Sequence, residues 1–329
     1  MKVLVCGGAG YIGSNMTLLL DRTDGFEPVV YDNLSKGHRA AVRDVQFVQG
    51  DLADRALIID TLKKYDIDAV MHFAAFIEVG ESVGQPLRYY ENNFCNTHNL
   101  LTAMEQCGVN KFVFSSTAAT YGIPGRVPIT EDLQKAPINP YGESKWAVER
   151  MLQFQSQTGR LNYAALRYFN ACGAGDNGTL GEDHSPESHL IPLIIQAAMG
   201  KRKDIKIFGT DYPTPDGTGI RDYIHIEDLC TAHLLALQKL DTEPELVYNL
   251  GNGKGYSVRE VIDMVKKVSG KDFKVTEVDR RAGDPPVLTA DASKAIKQLG
   301  WKTRFPDLRP IVESAWKWHT DNPNGYNDK

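Results

Sequence analysis

At 329 residues the chain can bury a full core and exceeds the usual single-domain size, so one large or two closely packed domains are expected. Its net charge of -5, with signs interspersed, gives no electrostatic case for nucleic acid or an anionic membrane, and no stretch is long and apolar enough to span a bilayer. Five scattered cysteines, Cys6, Cys95, Cys107, Cys172 and Cys230, form no C-x-x-C pair, so neither a disulfide framework nor a metal site is indicated and a cytoplasmic location with reduced thiols is the simplest account.

The N-terminus runs straight into a short apolar strand, residues 3–6, without the long apolar core and cleavage site of a signal peptide. Gly7-Gly8-Ala9-Gly10-Tyr11-Ile12-Gly13 follows and opens a helix with Ile12, Met16, Leu19 and Leu20 on one face. Strand, glycine turn and helix start is the arrangement in which backbone N–H groups and the helix dipole hold a pyrophosphate. The glycine spacing differs from G-x-G-x-x-G, so the turn alone is weak evidence. A second apolar run, residues 29–31, ends in Asp32, nineteen residues after Gly13. A carboxylate there accepts from ribose hydroxyls and repels a 2'-phosphate, favouring NAD over NADP; the nearby Lys36 and Arg39 pull the other way.

Apolar runs recur at residues 45–48, 69–73, 111–115 and 163–167 between helical segments, which implies a parallel, doubly wound sheet of the Rossmann type. Ligands of such sheets lie beyond the carboxyl ends of the strands. That rule gathers Asp51, Leu52, Phe73, Ala74, Ala75, Ser115, Thr117, Tyr168 and Asn170 at one crevice. Tyr141 and Lys145 stand four apart on an expected helix, close enough for the ammonium to act on the phenol. Half-ionising a phenol at neutral pH needs a shift of roughly 3 units, about 4 kcal/mol of differential stabilisation.

After Asn170 a Gly-rich polar loop leads to a helix over residues 190–199, then a second polar loop, 209–219, ending in Arg221-Asp222-Tyr223. A helix over 227–239 follows, then a run at 247–250 that is a candidate to rejoin the sheet. Ser257 and Glu260 have capping-box spacing ahead of Val258, Val261, Ile262, Val265 and Val268. Arg280 to Pro286 form a second basic loop, and a last helix over 308–319 is expected to bury Ile311, Val312, Ala315 and Trp316. Residues 1–170, with a return segment near 222–252, read as the nucleotide domain, and residues 171–329 as a smaller α/β substrate lobe.

These motifs, and above all Gly217-Thr218-Gly219-Ile220-Arg221-Asp222-Tyr223-Ile224-His225 and Arg281-Ala282-Gly283-Asp284, resemble the nucleotide-sugar epimerases of the extended short-chain dehydrogenase/reductase family. The resemblance implies NAD-dependent interconversion of UDP-glucose and UDP-galactose through C4 oxidation, rotation of a 4-keto sugar and re-reduction. It implies Thr117, Tyr141 and Lys145 as catalytic residues, with Tyr141 taking the 4-hydroxyl proton, Thr117 hydrogen-bonding the same oxygen and relaying its proton, and Lys145 on the nicotinamide ribose lowering the Tyr141 pKa. The implied cofactor set is Gly7, Gly10, Tyr11, Ile12, Gly13, Asp32, Asn33, Asp51, Leu52, Phe73, Ala74, Ala75, Asn92, Ser115, Tyr141, Lys145 and Tyr168. Arg221 and Arg281 would grip the diphosphate, with Asn170, His189, Leu190, Tyr223 and Asp284 nearby.

The chain departs from the family pattern at four positions. Thr117 stands where Ser is common, His189 where Asn is common, and Ile77 where some relatives carry Lys. Leu288 stands where Tyr or Cys marks narrow or wide pockets, so N-acetylated UDP-hexosamines are also expected as substrates. Ala118 and Ala119 follow Thr117 where a dehydratase would carry an Asp-Glu pair, which argues against water elimination. A plain dehydrogenase would share the first half-reaction, and a non-catalytic NAD-binding sensor would share the glycine turn. A homodimer is expected, joined through apolar faces at residues 94–104 and 146–154.

Overall fold

The computed structural model describes residues 1–281 and 284–327, so Ala282 and Gly283 of the second basic loop lie outside the described residues. In chain order the strands are β1 (Lys2–Cys6), β2 (Glu27–Asp32), β3 (Gln46–Gln49), β4 (Ala69–His72), β5 (Lys111–Thr117), β6 (Asn162–Tyr168), β7 (Asn170–Cys172), β8 (Ile205–Phe208), β9 (Ile220–His225), β10 (Glu245–Leu250), β11 (Gly255–Ser257), β12 (Val275–Val278) and β13 (Val287–Leu288). The main sheet runs β10-β6-β5-β4-β1-β2-β3, parallel throughout. The apolar run at 247–250 does rejoin it, as β10 beside β6.

Helices cover both faces, which is why the central strands read as continuous apolar runs rather than as alternating ones. Val3 and Val5 pack with Met16 and Leu20 of the helix Tyr11–Asp21 and with Leu229 and Ala236 of the helix Ile226–Lys239. Leu4 and Cys6 face the other way, onto Ile58 and Leu62 of Arg55–Lys64, Leu100 and Met104 of Asn96–Cys107, and Val148 and Leu152 of Pro140–Gln157. Fully burying each Leu or Ile contributes roughly 1.5–3 kcal/mol, so one helix layer on each face suffices to fix the sheet. This packing corrects the expectation of an exposed apolar face at residues 94–104: Leu100, Leu101, Ala103 and Met104 belong to the core. Phe154 is exposed, with the Arg150 guanidinium over its ring.

A separate core lies in the later half. It joins Ile191, Ile194 and Ile195 of the helix Leu190–Ala198 to Val261, Ile262 and Val265 of Val258–Ser269 and Ile311, Val312 and Ala315 of Leu308–Asp321. The capping box forms: the Ser257 hydroxyl accepts from the Glu260 N–H while the Glu260 carboxylate accepts from the Ser257 N–H. On the last helix the structure buries Trp318 and leaves Trp316 partly exposed, because 311, 315 and 318 share a stripe that 316 leaves. Parallel β8 and β12 form a two-stranded sheet. Around β9 a small mixed sheet gathers β7 and β13 in parallel and β11 antiparallel.

Candidate active site

The parallel register aligns the strand ends: Cys6 lies opposite Tyr31 and His72, His72 opposite Phe114, and Thr117 opposite Tyr168. At the end of β1, Gly7 has φ +80, and a Cβ there would stand 2.5 Å from the Ala74 nitrogen. A Cβ on Gly13 would stand 2.0 Å from the Gly7 carbonyl oxygen. Those two glycines let helix and strand end meet. Gly10 is different, since its Cβ would find nothing closer than 3.4 Å. It begins the helix Tyr11–Asp21 with no side-chain cap, leaving the first-turn N–H groups of Tyr11, Ile12 and Gly13 without intrahelical acceptors. Unfilled donors behind a residue with no side chain suit a pyrophosphate.

Phe73 and Ala74 donate to the Cys6 carbonyl at 2.8 and 3.1 Å, which places the end of β4 against the glycine turn. Asp32, at the end of β2, is buried and accepts from Ala9 N–H at 3.0 Å and Leu34 N–H at 2.8 Å. Burial raises its pKa while those two donors pull it down. Asn33 donates to the Asp51 carboxylate at 2.7 Å, and the Asp51 carbonyl accepts from the Tyr31 phenol, next to buried Leu52. Lys36 donates to the Ser185 carbonyl and Arg39 lies over the Phe47 ring, so both basic groups near Asp32 are engaged elsewhere. The set fits NAD.

At the end of β5 the Thr117 hydroxyl accepts from the Ala119 N–H at 3.1 Å. Burial raises the Tyr141 phenol pKa, and Thr117 draws it partly back down. Tyr141 lies in the first turn of the helix Pro140–Gln157, capped by Asn139, whose side chain accepts from the Gly142 N–H at 2.8 Å. A Cβ on Gly142 would stand 2.6 Å from the Ala119 carbonyl oxygen, so this glycine lets the helix approach Thr117. Lys145 is 3% exposed and donates to the Ser115 carbonyl at 2.9 Å. The strand-end carbonyl is the acceptor that the buried Lys145 amine finds in this structure. Burial lowers the Lys145 pKa to about 7, opposed by Glu149. The Ser115 hydroxyl meets the Tyr168 phenol at 2.6 Å.

The nucleotide-side residues converge on β9. Asn170 lies opposite Tyr223, and Leu288 opposite Arg221. The Asn170 amide donates to the Asp222 carbonyl at 2.8 Å. Arg221 is 3.9 Å from Asp284, and the Arg281 guanidinium lies 4.0 Å over the Phe208 ring. Tyr223 is 3% exposed and belongs to the lobe core. His189 caps the helix Leu190–Ala198 and turns its Nδ1 to Glu182, 2.6 Å away.

Residues 3–251 match the model of the NAD dependent epimerase/dehydratase family. The chain belongs to this family. It is 50% identical to a UDP-glucose 4-epimerase of Halalkalibacterium halodurans over 99% of this chain and 98% of that one. Among solved structures it resembles the UDP-glucose 4-epimerase of Brucella ovis in complex with NAD, with TM-score 0.93 and 48% identity over 96% of this chain and 97% of that one. The UDP-Glc/GlcNAc 4-epimerase of Campylobacter jejuni is similar too, with TM-score 0.85 and 47% identity over 97% of this chain and 99% of that one.

Within this family frame, three features have no counterpart among the residues expected from sequence. Asn93, in a π-helical turn Tyr90–Cys95, accepts from the Phe76 N–H at 2.8 Å, donates back to its carbonyl at 3.0 Å, and reaches the Ser144 hydroxyl at 3.2 Å. It ties the β4 end to the Tyr141 helix, while Asn92 donates to it. Beneath Thr117, buried Glu149 accepts from the Ser116 hydroxyl and from Arg167, which also donates to Tyr121 at 2.8 Å. Asp222 accepts from Asn252, Gly253 and Ala290 N–H groups, joining three segments at β9. Only a polar residue inside an apolar run hints at these roles. A cavity of 530 Å³ lined by Glu131, Lys135, Glu149, Arg167, Glu245 and Lys294 among others includes none of the expected cofactor or substrate residues.

Proposed function

We propose that the chain interconverts UDP-glucose and UDP-galactose by oxidation and re-reduction at the sugar C4, with Tyr141, Thr117 and Lys145 as its catalytic residues. What supports these roles is the close approach of the Tyr141 helix to the end of β5, where Gly142 packs on the Ala119 carbonyl next to Thr117, and Thr117 draws the phenol pKa down against burial. NAD, when bound, supplies a reversible hydride acceptor. Thr117 and Tyr141 hold the 4-oxygen, Tyr141 removes its proton as the carbonyl forms, and the same phenol returns it. Lys145, set by the Ser115 carbonyl, orients the cofactor ribose.

A 4-keto sugar that turns over must be held elsewhere, and guanidinium forks match a diphosphate. Arg221 and Arg281 are the two candidates, and Asn170 lies on the strand paired with the one that carries Arg221. Ala118 and Ala119, in the 3-10 turn Ala118–Tyr121, offer neither the base nor the acid that elimination across C5 and C6 needs. Incubation with UDP-glucose should give an isomer of unchanged mass and no net NADH; loss of water or accumulating NADH would overturn the reading.

Leu288, facing Arg221 across β13 and β9, sets pocket width and admits N-acetylated UDP-hexosamines. Leu288→Tyr should lower turnover of UDP-N-acetylglucosamine relative to UDP-glucose, and an unchanged ratio rejects the gate. The chain acts as a cytoplasmic homodimer, with Phe154 in the contact. No helix of the described residues is long and apolar enough to cross a membrane.

A further inference from the structure

Beside the glycine turn, the loop ahead of the helix Leu190–Ala198 brings together Glu182, His184, Glu187 and His189, and one ligand atom from each lies within 4.8 Å of all the others. His189 Nδ1 is 2.6 Å and His184 Nδ1 3.2 Å from Glu182 Oε1, and the same nitrogens stand 3.5 and 3.8 Å from Glu187 Oε1. Both carboxylate side chains are 4% exposed. Glu182 Oε1, His184 Nδ1 and His189 Nδ1 are buried with no hydrogen-bond partner, so the short contacts are not aligned for a proton between them. Buried polar atoms are nearly always paired, and three converging unpaired atoms need a common partner.

We propose that these four residues bind one zinc ion as a closed structural site. Ligand bonds of about 2.0–2.1 Å set tetrahedral ligand-to-ligand distances near 3.3 Å, and the four measured separations bracket that value. Two carboxylates and two neutral imidazoles balance a dication, and imidazole suits zinc above manganese. Ser188 and His189 N–H groups donate to Glu187 Oε1 at 2.7 and 2.8 Å, fixing one ligand from behind. Four protein ligands leave no open position, so the ion orders the chain and does not touch substrate.

The site sits where it would couple two parts of the fold. The His184 ring packs edge-on to Tyr11, which opens the glycine-turn helix. Asp183 contacts His38, whose N–H donates to the Ala9 carbonyl. His189 leads directly into the helix that carries Leu190. The expectation of no metal rested on scattered cysteines, and this set contains none; its signal in the sequence is Glu-x-His-x-x-Glu-x-His.

The test is metal analysis of the full-length chain, followed by chelator stripping and zinc titration against a chromogenic competitor. One zinc per chain is expected, with affinity reduced about a hundredfold or more in Glu182→Gln and His184→Asn, beyond the loss known for supporting residues. Cobalt loaded into the stripped protein should give the strong visible bands of a tetrahedral ion, and chelator should lower the thermal midpoint of the parent chain but not of the variants. Absence of stoichiometric zinc at micromolar free metal in the folded parent chain, or equal binding by both variants, would overturn the proposal. The parent chain alone decides the first of these, even where a variant does not fold.

Discussion

Replacing Lys145 by Met removes a buried ammonium from the end of β5, and the structure gives the direction in which stability should then change with pH. The lysine is 3% exposed, and its pKa falls from an ordinary 10.5 to about 7. Because the folded value lies below the unfolded one, the unfolded chain binds more protons between about pH 7 and 10.5, and stability rises with pH across that window. At roughly 1.4 kcal/mol per unit, the penalty reaches at most about 5 kcal/mol below pH 7 and about 3 kcal/mol at pH 8.5. The parent chain should therefore gain about 2 kcal/mol from this group between pH 6 and 8.5. Lys145→Met lacks that gain and also lacks the bond to the Ser115 carbonyl, a loss of about 1 kcal/mol that is independent of pH. For 329 residues an unfolding entropy near 0.7 kcal/mol/K turns 2 kcal/mol into roughly 3 °C. Thermal midpoints of both proteins, taken at the two pH values with matched NAD content, should thus diverge by about 3 °C on going to pH 6, the variant being relatively more stable there. Parallel pH dependence would refute a neutral-leaning, buried Lys145.

Glu149→Ala leaves Arg167 buried without its carboxylate, so destabilisation of about 3–5 kcal/mol is expected and read as a fall in the thermal midpoint; a change under about 1 kcal/mol would show that Arg167 finds another partner. Gly13→Ala drives a methyl to 2.0 Å from the Gly7 carbonyl, and should shift the glycine turn at a cost of about 1–3 kcal/mol and reduce the NAD content of the purified protein. Retained NAD at parent level would mean that the turn is not where the pyrophosphate sits.

The doubly wound sheet was legible because burial on both faces writes uninterrupted apolar runs, as at Val3 to Cys6, and because parallel strands point their ends to one edge. That logic places Thr117 and Tyr168 together from the sequence alone, and the register sets them opposite each other. The sheet around β9 was not legible: β7 and β11 have three residues each and β13 two, too short for any periodicity. Lys145 shows a different limit. Spacing on a helix puts it near Tyr141, but the Ser115 carbonyl, thirty positions away in sequence, decides where the ammonium goes. Asn93 and Glu149 act through buried polar contacts across the fold, which no local pattern encodes. The Glu182 to His189 set contains no cysteine, so cysteine spacing gives no sign of it.

Turnover of UDP-galactose by Tyr141→Phe, with NAD content measured on the same sample, tests the account most directly. The variant keeps the ring and the packing but loses the group assigned to take and return the 4-hydroxyl proton. NAD retention near that of the parent chain and a fall in turnover of about 10²–10⁴-fold are expected. Near-parental conversion to UDP-glucose would contradict the assignment of Tyr141 as the acid and base at C4.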